Sequence, residues 1–271
     1  MKIGFFDSGL GGLTVLKEAI ENEKLSENIY YLADTKNTPY GVKDEKFVKN
    51  VIYDNIDYLI KIGCNPIVIA CNTATSLCIN DLRNKYKKII FIGTEPAVKV
   101  AADSKMNKKI LVLATSITVK REKLLSLIDK LNIKDSVELV AADKLVSFAE
   151  NIDCNNMNNQ INDYIESILS RFNISEFSHI VLGCTHFPLF KDNFYDVINK
   201  INPNLDIQVI DGAKGISNNL INYINKIKGN KKYVQCTKNI TIILTNRNED
   251  FIARTKQILK NDKIEFEYKL Q

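Results

Sequence analysis

Two short stretches of this chain each end an apolar run in a cysteine. "PIVIACNTATSL" covers residues 66–77, and "HIVLGCTHFPLF" covers residues 179–190. When Cys71 is aligned with Cys184, the four preceding residues match in kind, at an offset of 184 − 71 = 113 residues. A cysteine thiol has a pKa of about 8.5, so both its thiol and thiolate forms are accessible near neutral pH. The pattern therefore indicates a reactive site that the chain builds twice.

A histidine and an aspartate accompany the two cysteines. His186 lies two residues after Cys184, so its imidazole can exchange a proton with the thiol or orient it. Asp7, which ends the first apolar run, can do the same for Cys71, although it can also serve only as a turn or cap residue. We interpret His179, placed just before a predicted strand, as structural.

The other four cysteines are interpreted as small buried hydrophobic residues, the usual role of a free cysteine. They are Cys64, Cys78, Cys154 and Cys236. Cys71 and Cys184 differ because each follows a predicted strand and precedes a predicted helix start, where terminal N–H groups favour a thiolate. Asn72 or Thr73 is the expected cap of the helix after Cys71.

Three kinds of chemistry can be weighed for two such cysteines. A metal site has only three ligands in Cys71, Cys184 and His186 and lacks the local spacing of structural zinc sites. Acyl transfer by one cysteine nucleophile leaves the second cysteine unexplained. Proton exchange at a carbon uses both, because one thiolate removes a proton from one face while the opposite thiol delivers one to the other. That reaction inverts the carbon centre and needs no cofactor.

Composition is that of an ordinary globular protein. The 271 residues are 45% hydrophobic and 25% charged, with a formal charge of +5. The lysines are interleaved with acids and form no basic stripe, so nucleic acid is not an expected partner. No apolar run is long enough for a signal-peptide core or a membrane span, so we expect no membrane association. Six cysteines without a CxxC pair predict free thiols in the cytoplasm.

β-Rich runs alternate with amphipathic helical segments along the chain. Most of the runs are continuous in Ile, Val and Leu, which is typical of strands covered by helices on both faces. The alternation predicts an α/β fold with largely parallel sheets. The predicted strands are 2–6, 29–33, 66–70, 88–92, 109–114, 137–141, 179–183, 206–210 and 240–244, and the clearest helical segments are 44–63 and 157–172.

The internal repeat extends beyond the cysteines. Residues 3–9 ("IGFFDSG") correspond to 110–116 ("ILVLATS"), and 29–35 ("IYYLADT") correspond to 137–143 ("VELVAAD"). We therefore predict two pseudo-symmetric α/β domains with the active site in the cleft between them.

The first predicted domain covers residues 1–95 and the second covers 96–206. Residues 207–271 either complete the first domain or extend the second, and we expect the former. Ligands of such sheets collect at the carboxyl ends of the strands. Four polar clusters follow predicted strands: "DSGLGG", "ADTKNTPYG", "CNTATS" and "GCTHFPL".

These four clusters, in this order, resemble the glutamate racemases of the aspartate/glutamate racemase family. The resemblance spans residues 7–190. Aspartate racemases carry CNTAH-like and GCTE-like signatures, whereas this chain has Thr75 and His186 at those places, which favours glutamate. The resemblance implies cofactor-independent racemisation of glutamate, which supplies D-glutamate for peptidoglycan, by a cytoplasmic homodimer without a metal.

The resemblance also implies roles for particular residues. Cys71 and Cys184 would be the two acid/base residues, assisted by Asp7 and His186. Residues expected to contact the amino acid are Asp7, Ser8, Tyr40, Gly41, Asn72, Thr73, Thr185 and His186, and possible accessory residues are Thr115, Thr118 and Glu150. From the pseudo-symmetry and the family pattern, we expect Cys71 to take the proton from D-glutamate and Cys184 to take it from L-glutamate.

The middle third of the chain departs from the family pattern. Ala114, Arg121 and Lys123 stand where Gly, Ser and Tyr are usual, and Ala142 and Asp143 replace a Cys-Pro pair. These changes bear on the surroundings of the site and on the dimer surface. Two alternatives to glutamate racemisation stay open: a racemase of another small acidic amino acid such as aspartate, and a non-catalytic module that binds an acidic ligand.

Overall fold

The computed structural model describes residues 1–21, 27–104, 108–151, 156–228, 239–260 and 265–268. The chain divides into two compact units, a first unit of residues 1–94 with 213–271 and a second unit of residues 95–212. Cys154 and Cys236 lie outside the described residues. No helix in the described ranges is both long and apolar enough to cross a membrane.

The strands and helices alternate along both units. The strands are β1 (Lys2–Asp7), β2 (Asn28–Ala33), β3 (Ile67–Ile69), β4 (Phe91–Gly93), β5 (Lys109–Ala114), β6 (Val137–Ala141), β7 (Phe177–Leu182), β8 (Gln208–Asp211), β9 (Ile240–Leu244) and β10 (Glu265–Tyr268). The helices are α1 (Leu13–Ile20), α2 (Glu45–Lys61), α3 (Asn72–Lys85), α4 (Val98–Asp103), α5 (Ser116–Val119), α6 (Glu122–Lys130), α7 (Asp143–Ala149), α8 (Asn158–Leu169), α9 (Lys191–Ile201), α10 (Ala213–Lys228) and α11 (Glu249–Leu259).

The first unit is built on a parallel sheet with the strand order β10-β9-β2-β1-β3-β4. Apolar residues of β1, β2 and β9 pack with α1, α10 and α11 into one core that includes Phe5 and Tyr31. α2 is capped by Asp44, whose side chain accepts the N–H of Phe47, and it buries an apolar stripe that begins at Val48. The central strands are apolar throughout because both of their faces are covered.

The second unit is built on a parallel sheet with the strand order β6-β5-β7-β8. One core joins β7 to α7, α8 and α9 and contains the fully buried rings of Phe177, Phe187 and Phe194. A smaller core around Val112 and Val181 packs against α4 and α6. Each buried side chain of this size contributes about 1.5–3 kcal/mol relative to exposure, so both faces of the sheet are anchored.

The two sheets repeat one strand arrangement, since β2-β1-β3-β4 corresponds to β6-β5-β7-β8. The correspondence between the two sheets extends to individual backbone hydrogen bonds. The N–H of Ala70 donates to the carbonyl of Phe6 at 2.9 Å, and the N–H of Gly183 donates to the carbonyl of Leu113 at 2.7 Å. Ala70 and Gly183 are therefore equivalent positions, and the next residue along each chain segment is a cysteine.

The predicted α/β fold with parallel sheets is confirmed by this topology. All nine predicted strands are present, three of them with the predicted ends (109–114, 137–141 and 240–244) and the other six with shifted ends. The run at 88–92 becomes a strand only at Phe91, because the N–H of Ile89 donates to the carbonyl of Tyr86 in a turn that closes α3. The strand β10 was not predicted. β8 pairs with β7, so the second unit extends to residue 212, a few residues past the limit placed at 206.

Exchanging the residues at the two equivalent positions gives different expected costs. A Cβ at Gly183 would lie 2.8 Å from the carbonyl oxygen of Leu113, so Gly183→Ala should lower the free energy of unfolding by about 1–3 kcal/mol. Ala70→Gly, the matched control, should cost only about 0.5–1 kcal/mol. Urea unfolding followed by circular dichroism measures both. Equal losses in the two variants would contradict the close approach at Gly183.

Candidate active site

Cys71 caps the amino end of α3. Its Sγ accepts the N–H of Ala74 at 3.4 Å, and the residue is 5% exposed. The partial positive charge of a helix amino terminus favours a thiolate there. The prediction that Asn72 or Thr73 caps this helix was wrong, because Cys71 itself occupies the cap and the other two lie in the first turn.

Asp7 and Ser8 lie at the end of the neighbouring strand β1. The Ser8 Oγ is 3.8 Å from the Sγ of Cys71, and the buried Asp7 accepts the N–H of Gly9 at 2.9 Å. Gly12 approaches so closely that an added Cβ would lie 2.5 Å from the Cβ of Asp7. The glycine-rich turn therefore holds the Asp7 carboxyl tightly, and a larger residue at position 12 would displace it.

Tyr40 lies in a short 3-10 turn, Tyr40–Val42, that also contains the buried Gly41. Its hydroxyl donates to Asp34 Oδ2 at 2.6 Å. Burial raises the pKa of Tyr40 well above its usual value, and the charge and hydrogen bond of Asp34 raise it further, with smaller contributions from the charges of Cys71 and Asp7. Tyr40 is therefore a neutral phenol within electrostatic reach of the cysteine.

Cys184, His186 and Glu150 form a buried chain of acid–base groups in the second unit. The Sγ of Cys184 is 3.7 Å from His186 Nδ1, and His186 Nε2 is 2.5 Å from Glu150 Oε1. Cys184 is 6% exposed and His186 is 1% exposed. With an acidic group on each ring nitrogen, a protonated imidazole can donate to both partners.

The charge state of His186 follows from these contacts. Burial lowers the pKa of His186, but its hydrogen bonds with Cys184 and Glu150, together with their negative charges, outweigh burial and raise the pKa well above its usual value. The buried imidazole is therefore a cation that faces the sulfur of Cys184 through Nδ1.

The predicted helix start directly after Cys184 was wrong. Residues Phe187–Phe190 form a short 3-10 turn that contains Pro188, and α9 begins only at Lys191. The N–H of Phe187 donates to the carbonyl of Cys184 within this turn. The positive charge beside Cys184 therefore comes from His186, whereas the partial positive charge at Cys71 comes from a helix terminus.

The short helix α7 is held at both of its ends. At its start, both carboxylate oxygens of Asp143 accept the N–H of Ser116, at 3.1 and 3.0 Å, and one of them also accepts the Ser116 hydroxyl. At its other end, Glu150 follows the last helical residue and contacts His186. Asp143, one of the residues that depart from the family pattern, thus anchors the element that carries Glu150.

The candidate site residues form two groups, one in each unit. The first contains Asp7, Ser8, Tyr40, Gly41, Cys71, Asn72 and Thr73, and the second contains Thr115, Thr118, Glu150, Cys184, Thr185 and His186. All of the threonines in these groups are buried. Thr115 caps α5, and its Oγ1 lies 2.9 Å from that of Thr118.

The cysteines are equivalent, but their partners are not. Asp34 N–H donates to the Asp7 carbonyl at 3.1 Å just as Ala142 N–H donates to the Ala114 carbonyl at 2.8 Å, so Ala114 is the counterpart of Asp7. By the same offset that matches the cysteines, the counterpart of His186 is Thr73. Each thiol therefore has an ionisable neighbour that the other lacks.

Residues outside the candidate set clarify its limits. Burial raises the pKa of Cys64 to about 12, so this thiol stays protonated, and Cys78 is also buried, as predicted for both. His179 lies inside β7 rather than before it. Within the described ranges no three His, Cys, Asp or Glu side chains are grouped to hold a metal ion. Asp34 was not among the predicted site residues. Its position directly after β2, in the second polar cluster, is the sequence signal that could have identified it.

A cavity of about 620 Å³ lies in the first unit between α2 and the end of β9. Its wall includes Asp34, Asn37 and Thr245 together with residues of α2. None of the residues expected to contact substrate lines it. Asp34 connects this cavity to the candidate site, because it lies in the cavity wall and its carboxylate accepts the hydroxyl of Tyr40.

Comparison with known proteins gives consistent matches. The family profile described as Asp/Glu/Hydantoin racemase matches residues 14–216. A glutamate racemase from Halothermothrix orenii is 45% identical over 83% of this chain and 85% of that protein, and one from Lachnospira eligens is 44% identical over 83% of each. The crystal structure of a glutamate racemase isoform from Bacillus anthracis superposes with a TM-score of 0.84, at 22% identity over 99% of this chain and 97% of that one, and it shows the same fold.

The two histidines of the chain should titrate on opposite sides of the ordinary value. Burial lowers the pKa of His179 despite the nearby Asp206, whereas the pKa of His186 is raised. Glu150→Gln should lower the pKa of His186 and leave that of His179 unchanged. NMR of the imidazole protons as a function of pH measures both. A His186 signal that titrates at or below about 6.5 in the unaltered protein would contradict the buried chain.

The same shift has a consequence for stability. Because folding raises the pKa of His186, its protonation stabilises the fold below about pH 6.5, and this contribution is lost as pH rises through the folded-state pKa. Glu150→Gln should therefore lose more stability at pH 5.5 than at pH 9, relative to the unaltered protein. Urea unfolding at the two pH values tests this, and an equal loss at both would contradict it.

Proposed function

The chain belongs to the Asp/Glu/hydantoin racemase family, and we propose that it interconverts L-glutamate and D-glutamate without a cofactor. The observation that carries this proposal is the equivalence of Cys71 and Cys184, which follow equivalent strands and equivalent backbone hydrogen bonds. Two equivalent thiols suit a reaction that runs in two mirror-related directions, because each thiol can serve as the acid–base group for one face of the substrate. The name glutamate racemase, carried by the relatives in sequence, supports the choice of substrate.

The proposed mechanism moves one proton on each side of the α-carbon. In the direction from L to D, the Cys184 thiolate takes the α-proton, so the C–H bond breaks and an S–H bond forms. The Cys71 thiol then gives its proton to the opposite face, so its S–H bond breaks and a new C–H bond forms. The proposal requires both sulfurs to reach opposite faces of the same α-carbon. Exchange with solvent restores the starting protonation states.

The partners of the two thiols have different proposed tasks. The proposed task of the His186 imidazolium, held by Glu150, is to donate a hydrogen bond to the sulfur of Cys184 and so stabilise the negative charge of its thiolate. Cys71 is stabilised as a thiolate by the amino terminus of α3, while Asp7 at the neighbouring strand end assists its proton exchange. The enzyme is thus symmetric in its thiols and asymmetric in the groups that tune them.

The substrate must be held by donors that also stabilise the carbanion. Buried hydroxyls, an amide and backbone N–H groups at strand ends suit the two carboxylates of glutamate and the negative charge that develops at the α-carbon. The proposed contacts are Asp7, Ser8, Tyr40, Gly41, Asn72, Thr73, Thr185 and His186, with Thr115, Thr118 and Glu150 as accessory residues.

The wider setting follows from the motif resemblance. We propose that the protein acts in the cytoplasm as a homodimer, without a metal, and supplies D-glutamate for peptidoglycan. We also propose that each of the two predicted domains contributes one cysteine to the reaction. The main alternative is a racemase of another small acidic amino acid. Thr75 and His186, at the places that distinguish the aspartate racemases, favour glutamate.

Removing either thiol should strongly slow racemisation. Cys71→Ala and Cys184→Ala should each lower kcat/KM about 10²–10⁴-fold in both directions, because each direction needs one thiolate and one thiol. Cys78→Ala is the matched control, since Cys78 lies buried on the same helix as the Cys71 cap, and it should keep activity within a few-fold. Circular dichroism of L- and D-glutamate solutions measures the rates.

The same assay separates the competing functions. Glutamate should turn over faster than aspartate in the unaltered protein. Faster turnover of aspartate would establish the alternative substrate. Binding of glutamate with no racemisation of either amino acid would contradict the proposal and leave a binding module.

A further inference from the structure

The buried carboxylate of Asp34 is fixed from three sides. Its oxygens accept hydrogen bonds from Asn37 Nδ2 at 3.0 and 3.1 Å, from the Tyr40 hydroxyl at 2.6 Å and from Thr245 Oγ1 at 2.7 Å. Asp34 is fully buried, so these donors take the place of the water that would otherwise solvate its carboxylate. Oδ1 holds Thr245 and Oδ2 holds Tyr40, which couples the orientation of one side chain to the other.

Thr245 reaches Asp34 from a distant part of the chain, 211 residues away in sequence. It directly follows β9, and its N–H donates to the carbonyl of Ala33. Its Oγ1 also accepts the N–H of Lys36 at 3.0 Å. Thr245 therefore holds in place the loop that carries Tyr40.

A second pair of hydrogen bonds strengthens this connection. The Thr35 hydroxyl donates to the carbonyl of Asn246 at 2.7 Å, and the N–H of Asn246 donates to the Thr35 Oγ1 at 3.0 Å. These contacts are exposed, so water competes for them. The link from Thr245 to Asp34 is the better protected of the two, because one partner is fully buried.

We propose that Thr245 is a positioning residue that orients the Tyr40 hydroxyl through the carboxylate of Asp34. The proposal rests on the function proposed above, in which Tyr40 contacts the substrate. The ring of Tyr40 lies 6.5 Å, between centroids, from the ring of Phe6, the residue that directly precedes Asp7. A carboxylate released from Thr245 can rotate and draw the phenol with it, so substrate binding weakens while the thiols stay in place.

The test compares the kinetics of two variants at the same position with those of a control on the same strand. Thr245→Val keeps the shape but removes the hydroxyl, whereas Thr245→Ser keeps the hydroxyl. We expect Thr245→Val to raise KM for glutamate about five- to tenfold with little change in kcat, because it weakens binding in the ground and transition states equally. Thr245→Ser should restore KM to within about twofold of the original value.

The control is Thr241→Val, a buried threonine of β9. It should leave KM unchanged, and any loss of stability it causes sets the scale for a purely structural effect. Tyr40→Phe should cancel the difference between threonine and valine at position 245. If Thr245→Val leaves KM unchanged, or still raises it when Tyr40 is phenylalanine, the positioning role is overturned.

A second measurement does not depend on activity. The protein is labelled with 3-fluorotyrosine, and the fluorine NMR signal of Tyr40 is identified among the 11 tyrosines by its loss in Tyr40→Phe. Thr245→Val should shift this signal, and Thr241→Val should not. An unshifted signal in Thr245→Val overturns the coupling. If the unaltered protein racemises no amino acid, the proposed function is contradicted, and with it the role of Thr245 in substrate binding. A shifted fluorine signal in Thr245→Val would still establish the coupling of Thr245 to Tyr40.

Discussion

In each parallel sheet, the pairing of two neighbouring strands determines where the cysteine lies. These strands are β1 and β3 in the first unit and β5 and β7 in the second. In both units the backbone N–H of the residue just after the cysteine-bearing strand donates to a carbonyl of its neighbour. Ala70, after β3, donates to Phe6 of β1, and Gly183, after β7, donates to Leu113 of β5. The next residue is the cysteine, which this hydrogen bond places at the carboxyl edge of the sheet. A slip by one residue would turn the side chain to the opposite face of the sheet.

This shared scaffold carries two different electrostatic environments. Cys71 caps a helix, whereas Cys184 depends on a buried imidazole that is fixed in turn by Glu150. Pro188 and the 3-10 turn after Cys184 remove the helix terminus, and His186 supplies a positive charge in its place. A reaction that runs in both directions tolerates such different partners, provided that each thiol can both take and give a proton.

Much of this arrangement could be predicted from the sequence. Continuous Ile, Val and Leu runs predicted the strands, and the 113-residue offset predicted the equivalence of Cys71 and Cys184. The strand β10 was missed because the run Glu265–Tyr268 has little apolar content to mark it. The helix start after Cys184 was predicted wrongly, because the pattern resembled that at Cys71. Thr245 could not be found, since its role arises from a hydrogen bond to a residue 211 positions away.

The central claim is that two different thiols act on opposite faces of one carbon. The most direct test incubates the unaltered protein with L-glutamate in heavy water and stops the reaction after a few per cent conversion. The two enantiomers are then separated, and their α-deuterium content is measured by mass spectrometry. The delivering thiol has exchanged with solvent, so D-glutamate should carry α-deuterium from its first appearance while the remaining L-glutamate keeps its proton. D-Glutamate that retains the original α-proton would show that a single group removes and returns it, and would contradict the two-thiol account.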